Sequence, residues 1–223
     1  MQEHIVKSFD KEIKSLRDKI TLMAKSCEDQ INGATQAFVH MDAELAQNII
    51  KGDSHINRFQ REIEDNAVRF LAKRHPLAVD LRQILSAMKI ASELERIGDY
   101  TANIAKRIAN LSEKPLSDAS DLIMKMAQTC KIMLHDAIDA FLSLNIKQAV
   151  AVWQKDDEID GYFSEMMTML QEQMQYETTA INDCTQLIFM GRCFERIGDH
   201  ITNIAENIYY VVTGQNYIDQ LEE

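Results

Sequence analysis

The residues best suited to chemistry are carboxylates that occur as pairs in two nearly identical segments. The segments are LERIGDYTANIA at 94–105 and FERIGDHITNIA at 194–205. In each, a glutamate and an aspartate are four positions apart, Glu95 with Asp99 and Glu195 with Asp199. A helix turns once in about 3.6 residues, so each pair lies on one face, away from the apolar stripe. Such oxygen ligands suit Mg, Ca, Mn or Fe.

A second set of acidic side chains precedes each pair. They are Asp53 in the first half, and Asp156 with Asp160 in the second. An antiparallel helical hairpin brings Asp53 to the level of Glu95, and the second-half aspartates to the level of Glu195. Carboxylates gathered on one patch repel one another, and a multivalent cation relieves that repulsion. The sequence therefore predicts a candidate metal site in each half.

A simpler interpretation of these acids is also open. Acids on an exposed helix face are usually only solvated, and Glu95 could pair with Lys106 or a nearby arginine. The aspartates of the preceding helices could be N-caps. Recurrence in both halves favours a binding role, as does a glycine beside each pair, Gly98 and Gly198. Glycine inside a helix costs about 1 kcal/mol, so it needs a packing or ligand-approach reason.

The acidic motif belongs to a duplication that covers the chain. Upstream of the motif the offset between copies changes from 100 to 103, as in Met23 with Met126, Cys27 with Cys130 and Asp53 with Asp156. The change requires a length difference between the halves, somewhere between residues 57 and 90, and a shorter second-half turn near residue 176 is the favoured place. The chain has 7 glycines and 2 prolines, where average usage would give roughly 27 together. We therefore predict an all-α fold.

Apolar spacing predicts three helices in each half, and thus two tandem three-helix bundles. The predicted bundles comprise residues 1–114 and 115–223. The expected helices span about 3–51 with a kink near Asp42, then 54–73, 77–111, 118–153, 157–175 and 179–213. Pro115 should end the first half, and Gly214 the last helix.

Charge and composition exclude several classes of function. A net charge of -11 repels phosphate backbones and anionic lipids, so nucleic acid is not an expected ligand. Apolar runs stay well below about 18 residues, and the first residues lack a signal core, so neither a membrane span nor export is expected. The 4 cysteines form no CxxC pair and are expected to be reduced and packed.

The doubled ERIGD…NIA motif resembles the PhoU family. Further agreement comes from HPLAVDLRQIL at 75–85, HIVKSFDKEIKSLRDKI at 4–20 and IYYVVTG at 208–214. The resemblance implies two three-helix bundles and a cytoplasmic negative regulator of the phosphate-starvation response. It implies two partners, the ATP-binding subunit of the Pst phosphate transporter and a PhoR-type sensor histidine kinase, and it suggests a homodimer.

The same resemblance bears on metal binding. Some family members hold multinuclear iron or zinc clusters on E/D-xxx-D motifs, and others have no metal; Mg or Mn is not excluded for this chain. The motifs fall here at Glu95/Asp99, Glu195/Asp199 and Asp156/Asp160. The remaining one begins at Asp53 and ends at Asn57, where the pattern has aspartate. The first-half site should therefore be weaker than the second, or empty.

Three functions compete at this point. The first is a regulatory adaptor, with metal as a structural or signalling cofactor. The second is a carboxylate-bridged di-iron protein, which needs Glu-x-x-His on core-facing helices, a pattern that the 6 histidines do not provide. The third is a metal buffer without partners. Walker A, GxGxxG, HExxH and nucleophile-elbow motifs are missing, so we predict that the protein is not an enzyme.

Overall fold

The protein is built from long helices, as seen in a computed structural model that describes residues 2–74, 76, 78–111, 117–215 and 217. The helices are α1 (Gln2–His40), α2 (Ala43–Arg74), α3 (Ala78–Ile108), α4 (Ser117–Ser143), α5 (Ile146–Tyr176) and α6 (Ile181–Thr213), with a 3-10 turn at Thr178–Ala180. The first three helices pack on one another, and so do the last three. The predicted all-α fold of two three-helix bundles is confirmed.

Two predicted junctions between helices are wrong, α1 to α2 and α4 to α5. The first helix was expected to reach about residue 51, but it ends at His40, and α2 already begins at Ala43. Met41 takes a φ of 52°, which no helix can continue, and the Leu45 amide donates to Asp42 Oδ1 at 2.9 Å. Asp42 therefore caps α2 instead of marking a kink within one helix.

The second half repeats this break. Leu144 has a φ of 53°, and the side chain of Asn145 accepts from the Gln148 amide at the start of α5. Consequently α4 ends at Ser143 and not near residue 153. Asp53 and Asp156 lie well inside α2 and α5, so the suggestion that they are N-caps is also wrong.

The duplication extends to the cores of the two bundles. Residues related by the offset of 103 are buried in both halves; examples are Met23 and Met126, Ala34 and Ala137, Phe38 and Phe141, and Ile56 and Ile159. Cys27 Sγ donates to the Leu94 carbonyl at 3.3 Å, and Cys130 Sγ donates to the Phe194 carbonyl at 3.5 Å. All four cysteines are free and three of them are buried, as predicted. The two halves thus contribute equivalent positions to one apolar core that is continuous between them.

The two bundles meet along α3 and α6, which run antiparallel. Near one end of the pair, Arg82 Nε donates to the Val211 carbonyl at 3.3 Å, and near the other, Arg107 Nη1 donates to Gln186 Oε1 at 3.3 Å. A second contact joins α1 to α4, where Lys131 Nζ donates to an α1 asparagine side chain at 3.1 Å. The carboxylate-bearing helices α3 and α6 are therefore held against each other at the centre of the molecule.

The ends of the repeats agree with the sequence where they are described. Three residues separate α2 from α3, and one residue with the 3-10 turn separates α5 from α6, so the shorter second-half turn stays a prediction. Gly214 ends α6 in the left-handed conformation, with a φ of 77°. The predicted boundary between residues 114 and 115, and Pro115 itself, lie outside the described residues. Across the described ranges, none of the helices has the length and apolar character needed to cross a membrane.

Candidate functional site

The first carboxylate patch lies where α2 crosses α3, and we call it the first patch (Asp53, Glu95 and Asp99). A β-carbon at Gly98 would stand 3.3 Å from Asp53 Oδ1 and 2.9 Å from Ile56 Cδ1. The missing side chain of Gly98 therefore lets α2 approach α3 closely and sets Asp53 beside the acidic pair. The predicted level of Asp53 relative to Glu95 is confirmed.

Burial and mutual repulsion act on the acids of the first patch. Desolvation, followed by the charge of Asp99, raises the pKa of Asp53 above its usual value, while a hydrogen bond from Asn57 Nδ2 to Asp53 Oδ2 at 3.0 Å opposes the rise. Desolvation and Asp99 likewise raise the pKa of Glu95. Asn57 thus supplies a neutral donor where a second carboxylate would add charge.

The second patch (Asp156, Asp160, Glu195 and Asp199) occupies the matching crossing of α5 and α6. A β-carbon at Gly198 would overlap Asp156 Oδ1, so this glycine too makes room for the aspartate. Desolvation, then the charges of Asp160, Asp199 and Glu195, raise the pKa of Asp156 from 3.8 to about 7. The second patch therefore carries the stronger repulsion, as the extra carboxylate predicts.

The glutamates of the two patches are more enclosed than the aspartates one turn later. Glu195 is 14% exposed and Asp199 is 40% exposed. Desolvation raises the pKa of Glu195, Asp199 adds to the rise, and Arg192 and Arg196 oppose it. The glutamates thus lie at the edge of the core, nearer to it than helical spacing alone indicated.

Arginines accompany both acidic pairs. Arg96 lies 3.7 Å from Asp99 and 3.7 Å from Glu95, and Arg196 Nη1 donates to Asp199 Oδ2 at 3.0 Å. The proposed pairing of Glu95 with a nearby arginine is therefore present, whereas Lys106 Nζ donates to an asparagine side chain at 3.1 Å. Arg96 pairs within the first patch, which has three carboxylates, and Arg192 and Arg196 pair within the second, which has four. Part of the acidic charge is therefore left without a paired arginine.

Several oxygen atoms of the patches accept no hydrogen bond from the described residues. They are Asp53 Oδ1, Asn57 Oδ1, Asp156 Oδ1 and Glu195 Oε2, all of them buried. A buried acceptor without a donor costs about 1–3 kcal/mol, so a ligand that satisfied it would gain that energy. These atoms mark the inner side of each patch as the part with the least satisfied oxygen atoms.

The carboxylates do not, however, form a ready-made ligand set. Within the described part of the chain, no group of three or more His, Cys, Asp or Glu side chains is arranged to hold a metal ion. The donor types fit a hard cation, but the oxygen atoms of each patch do not converge on one point. The seven acids of the two patches therefore remain predicted metal ligands.

A polar contact between the bundles was missed by the sequence reasoning. Glu93 on α3 accepts from His200 Nδ1 at 2.7 Å and from Asn203 Nδ2 at 3.2 Å, both on α6. At the repeat-equivalent positions stand Cys193 and Tyr100. The two copies differ in charge at both positions, and this difference is the sequence feature that could have indicated the contact.

Comparison with known proteins agrees with these features. The family model described as the PhoU domain matches residues 20–108 and again residues 123–208. The chain belongs to the PhoU family. A PhoU homolog from Caulobacter vibrioides, called a phosphate-specific transport system accessory protein, is 38% identical over 221 residues, which cover 99% of this chain and 96% of that protein. The PhoU of Escherichia coli K12 is 31% identical over 217 residues, covering 97% and 90% of the two chains.

Solved PhoU structures have the same fold. The crystal structure of PhoU from Pseudomonas aeruginosa matches with a TM-score of 0.88 and 34% identity, covering 93% of this chain and 100% of that one. The phosphate transport system regulatory protein PhoU from Streptococcus pneumoniae matches with a TM-score of 0.88 and 32% identity, covering 93% and 98%. These PhoU relatives carry the names of accessory and regulatory proteins rather than of enzymes, which supports a role in phosphate transport regulation.

Proposed function

We propose that this protein is a negative regulator of the phosphate-starvation response. In this role it is a cytoplasmic adaptor that couples the ATP-binding subunit of a Pst-type phosphate transporter to a PhoR-type sensor histidine kinase, and it acts as a homodimer. One observation carries the proposal: the chain aligns over 99% of its length with an accessory protein of a phosphate-specific transport system. The alignment includes both bundles, so the proposal concerns the whole chain and not one half of it.

The exposed side chains of α3 and α6 support an adaptor role. Leu81 and Ile181 are 37% and 44% exposed, although they are large apolar residues. Each precedes its patch aspartate, Asp99 or Asp199, by 18 residues, which is about five helical turns and therefore the same face. Each central helix thus presents an apolar residue and an acidic patch on one side. A partner surface could use both.

Deletion of the gene tests the regulatory role. Phosphate-responsive promoters should then stay active in high phosphate, because the negative regulator is gone. Normal repression in the deletion strain would refute the assignment.

The adaptor role is tested separately, by pull-down of the purified ATP-binding subunit and of the kinase with the full-length chain. Failure with both partners would leave a regulator that does not act as an adaptor.

We further propose that the patches bind a multivalent cation, iron or zinc as the family resemblance implies, with Mg or Mn as alternatives. Asp156, Asp160, Glu195 and Asp199 would hold it in the second half, and the three acids of the first patch would bind it more weakly. A bound cation would neutralise the repulsion that raises the pKa of Asp156. It would also join α5 to α6, after the carboxylates rotate toward a common point.

Metal content of protein purified without chelator tests this second proposal. Glu195→Ala with Asp199→Ala should lower the content more than Glu95→Ala with Asp99→Ala, which is the matched control. Equal losses, or no metal in the parent protein, would contradict the expected difference between halves. If metal binds but neither partner is captured, the metal-buffer function becomes the better description.

A further inference from the structure

A cleft opens between α1 and α2, far from both carboxylate patches. Its volume is about 230 Å³. Arg69 and Lys73, which line it, lie 16 and more residues beyond Asp53 on the same helix, a distance of at least about 24 Å along the axis. The cleft is therefore a separate feature of the first bundle, near the end of α2.

Positive charge dominates the rim of the cleft. Arg69 and Lys73 are four positions apart and so extend from one face of α2, and both are exposed. Within the part of the chain that the structure describes, neither cation has a carboxylate at ion-pair distance. Glu12 also lines the cleft, which leaves two cations against one carboxylate. In a protein with a net charge of -11, such a concave basic site is unusual and attracts anions.

The other lining groups suit a phosphoryl anion. Ser15 on α1 and Asn66 on α2 place a hydroxyl and an amide beside the two cations. Arginine offers a planar fork of N–H donors and lysine a point charge, the combination that binds phosphate oxygens. The floor is apolar, since Leu16 is 4% exposed and Phe70 is 3% exposed. That floor gives room for an apolar group attached to the phosphate.

The duplicated half provides an internal comparison. Ile63 and Ala67 of α2, and Met166 and Leu170 of α5, are all fully buried, so the offset of 103 still holds at this level. It places Glu172, Tyr176 and Met169 where the first half has Arg69, Lys73 and Asn66. The fold therefore does not require the basic residues, since the second bundle packs in the same way without them.

We propose that the α1–α2 cleft of the first bundle binds a phosphoryl group, carried either by inorganic phosphate or by a small phosphorylated organic molecule. Arg69 and Lys73 hold the phosphoryl oxygens, with Asn66 and Ser15 as further donors. Phe70 and Leu16 contact the remainder of an organic ligand. The site needs neither the carboxylate patches nor a protein partner, so it stands independently of the proposed adaptor function.

Calorimetric titration of the full chain tests the site with three probes: inorganic phosphate, adenosine monophosphate and adenosine. We expect adenosine not to bind, and at least one phosphate-bearing probe to bind. Tighter binding of the nucleotide than of phosphate would assign the organic source, and the reverse would assign inorganic phosphate. Either result supports the phosphoryl site. Binding of adenosine as tight as that of the nucleotide, or no binding of either phosphate-bearing probe, would overturn it.

A matched pair of double variants locates the binding. Arg69→Ala with Lys73→Ala should raise the dissociation constant about tenfold or more, because two charge-assisted contacts are lost. Arg61→Ala with Lys147→Ala removes one arginine and one lysine from exposed positions elsewhere and should leave the constant unchanged. Equal weakening in both variants would show that overall charge governs binding and would exclude the cleft. All four positions are helical, so alanine preserves the fold.

Discussion

His200 of α6 donates to the carboxylate of Glu93 on α3 at 2.7 Å, across the interface between the two bundles. Both side chains are largely buried, at 19% and 22% exposure. The repeat-equivalent residues, Tyr100 and Cys193, have no charge to pair, so the contact exists on one side of the interface only. The two halves are therefore joined by a polar link that the duplication did not dictate.

Removing this link should weaken the attachment of the bundles. We expect Glu93→Gln to lower the free energy of unfolding by about 1–2 kcal/mol, because the enclosed histidine loses a charged acceptor. Urea denaturation followed by circular dichroism measures the change. Glu158→Gln is the control, since Glu158 is 49% exposed and only pairs with Lys155 on the surface. A loss as large in the control would contradict a specific role for Glu93.

The glycine beside the second patch should resist substitution. A β-carbon at Gly198 would overlap Asp156 Oδ1 and stand 3.4 Å from its Cγ, and 3.0 Å from Ile159 Cδ1. We expect Gly198→Ala to lower the free energy of unfolding by about 1–2 kcal/mol, because overpacking outweighs the gain in helix propensity. Gly161 on α5 has nothing within 4 Å of its β-carbon position. Gly161→Ala should therefore stabilise the protein by about 1 kcal/mol.

Unfolding curves of both glycine variants distinguish the two effects. If Gly198→Ala were as stabilising as Gly161→Ala, α5 and α6 would have room to separate at their crossing, and the glycine would have no packing role there.

Stability of the chelator-treated protein should depend on Asp156. Its pKa is raised from 3.8 to about 7 in the folded state, so the folded state binds the proton more tightly than the unfolded state does. This stabilisation is complete below pH 4 and is lost as pH rises through 7. Asparagine at this position has no charge to bury at high pH. We therefore expect Asp156→Asn to have a higher free energy of unfolding than the parent at pH 8, by on the order of 1 kcal/mol after solvent screening is allowed for.

Urea denaturation at pH 5 and pH 8 measures this dependence. Exposed Asp157, which is adjacent in sequence, provides the control variant Asp157→Asn. An equal pH response in the parent protein and in Asp156→Asn would disprove the assignment.

A second titration can be followed by fluorescence. Desolvation raises the pKa of Glu206 above its usual 4.5, Glu93 adds to the rise, and a hydrogen bond with Trp153 opposes it. Trp153 is the single tryptophan, so its emission should change as pH rises through the Glu206 pKa. Glu206→Gln should abolish the transition, whereas Glu165→Gln, at an exposed position on α5, should retain it. A transition that persists in Glu206→Gln would assign it to another group.

The order of the helices and their grouping into two bundles could be predicted from sequence, because duplication and apolar spacing are properties of the chain itself. The ends of α1 and α4 could not, since Met41 and Leu144 take positive φ values that leucine and methionine rarely adopt. Apolar spacing continues across both breaks, so it favoured longer helices than exist. The sequence predicts an irregularity at Asp42, but it does not predict that Asp42 caps a new helix.

The gathering of acids from two helices could also be predicted, from hairpin geometry and the spacing of four. Helical spacing does not predict how deeply each acidic side chain is buried. Glu195 is far more enclosed than Asp199, although both lie on one face, because depth depends on how closely the neighbouring helix approaches. The orientation of Asp156 toward Gly198 depends on the same approach.

Tyr100 and His200 occupy the same position in the two copies, and their rings lie 5.5 Å apart at the centre of the antiparallel α3–α6 pair. A surface that meets its own copy in this way has the geometry of a symmetric dimer. Here the two bundles belong to one polypeptide, so the two sides of the interface need not have the same sequence. Residues that face each other across the axis are then free to specialise, as an acid and a histidine do at this interface.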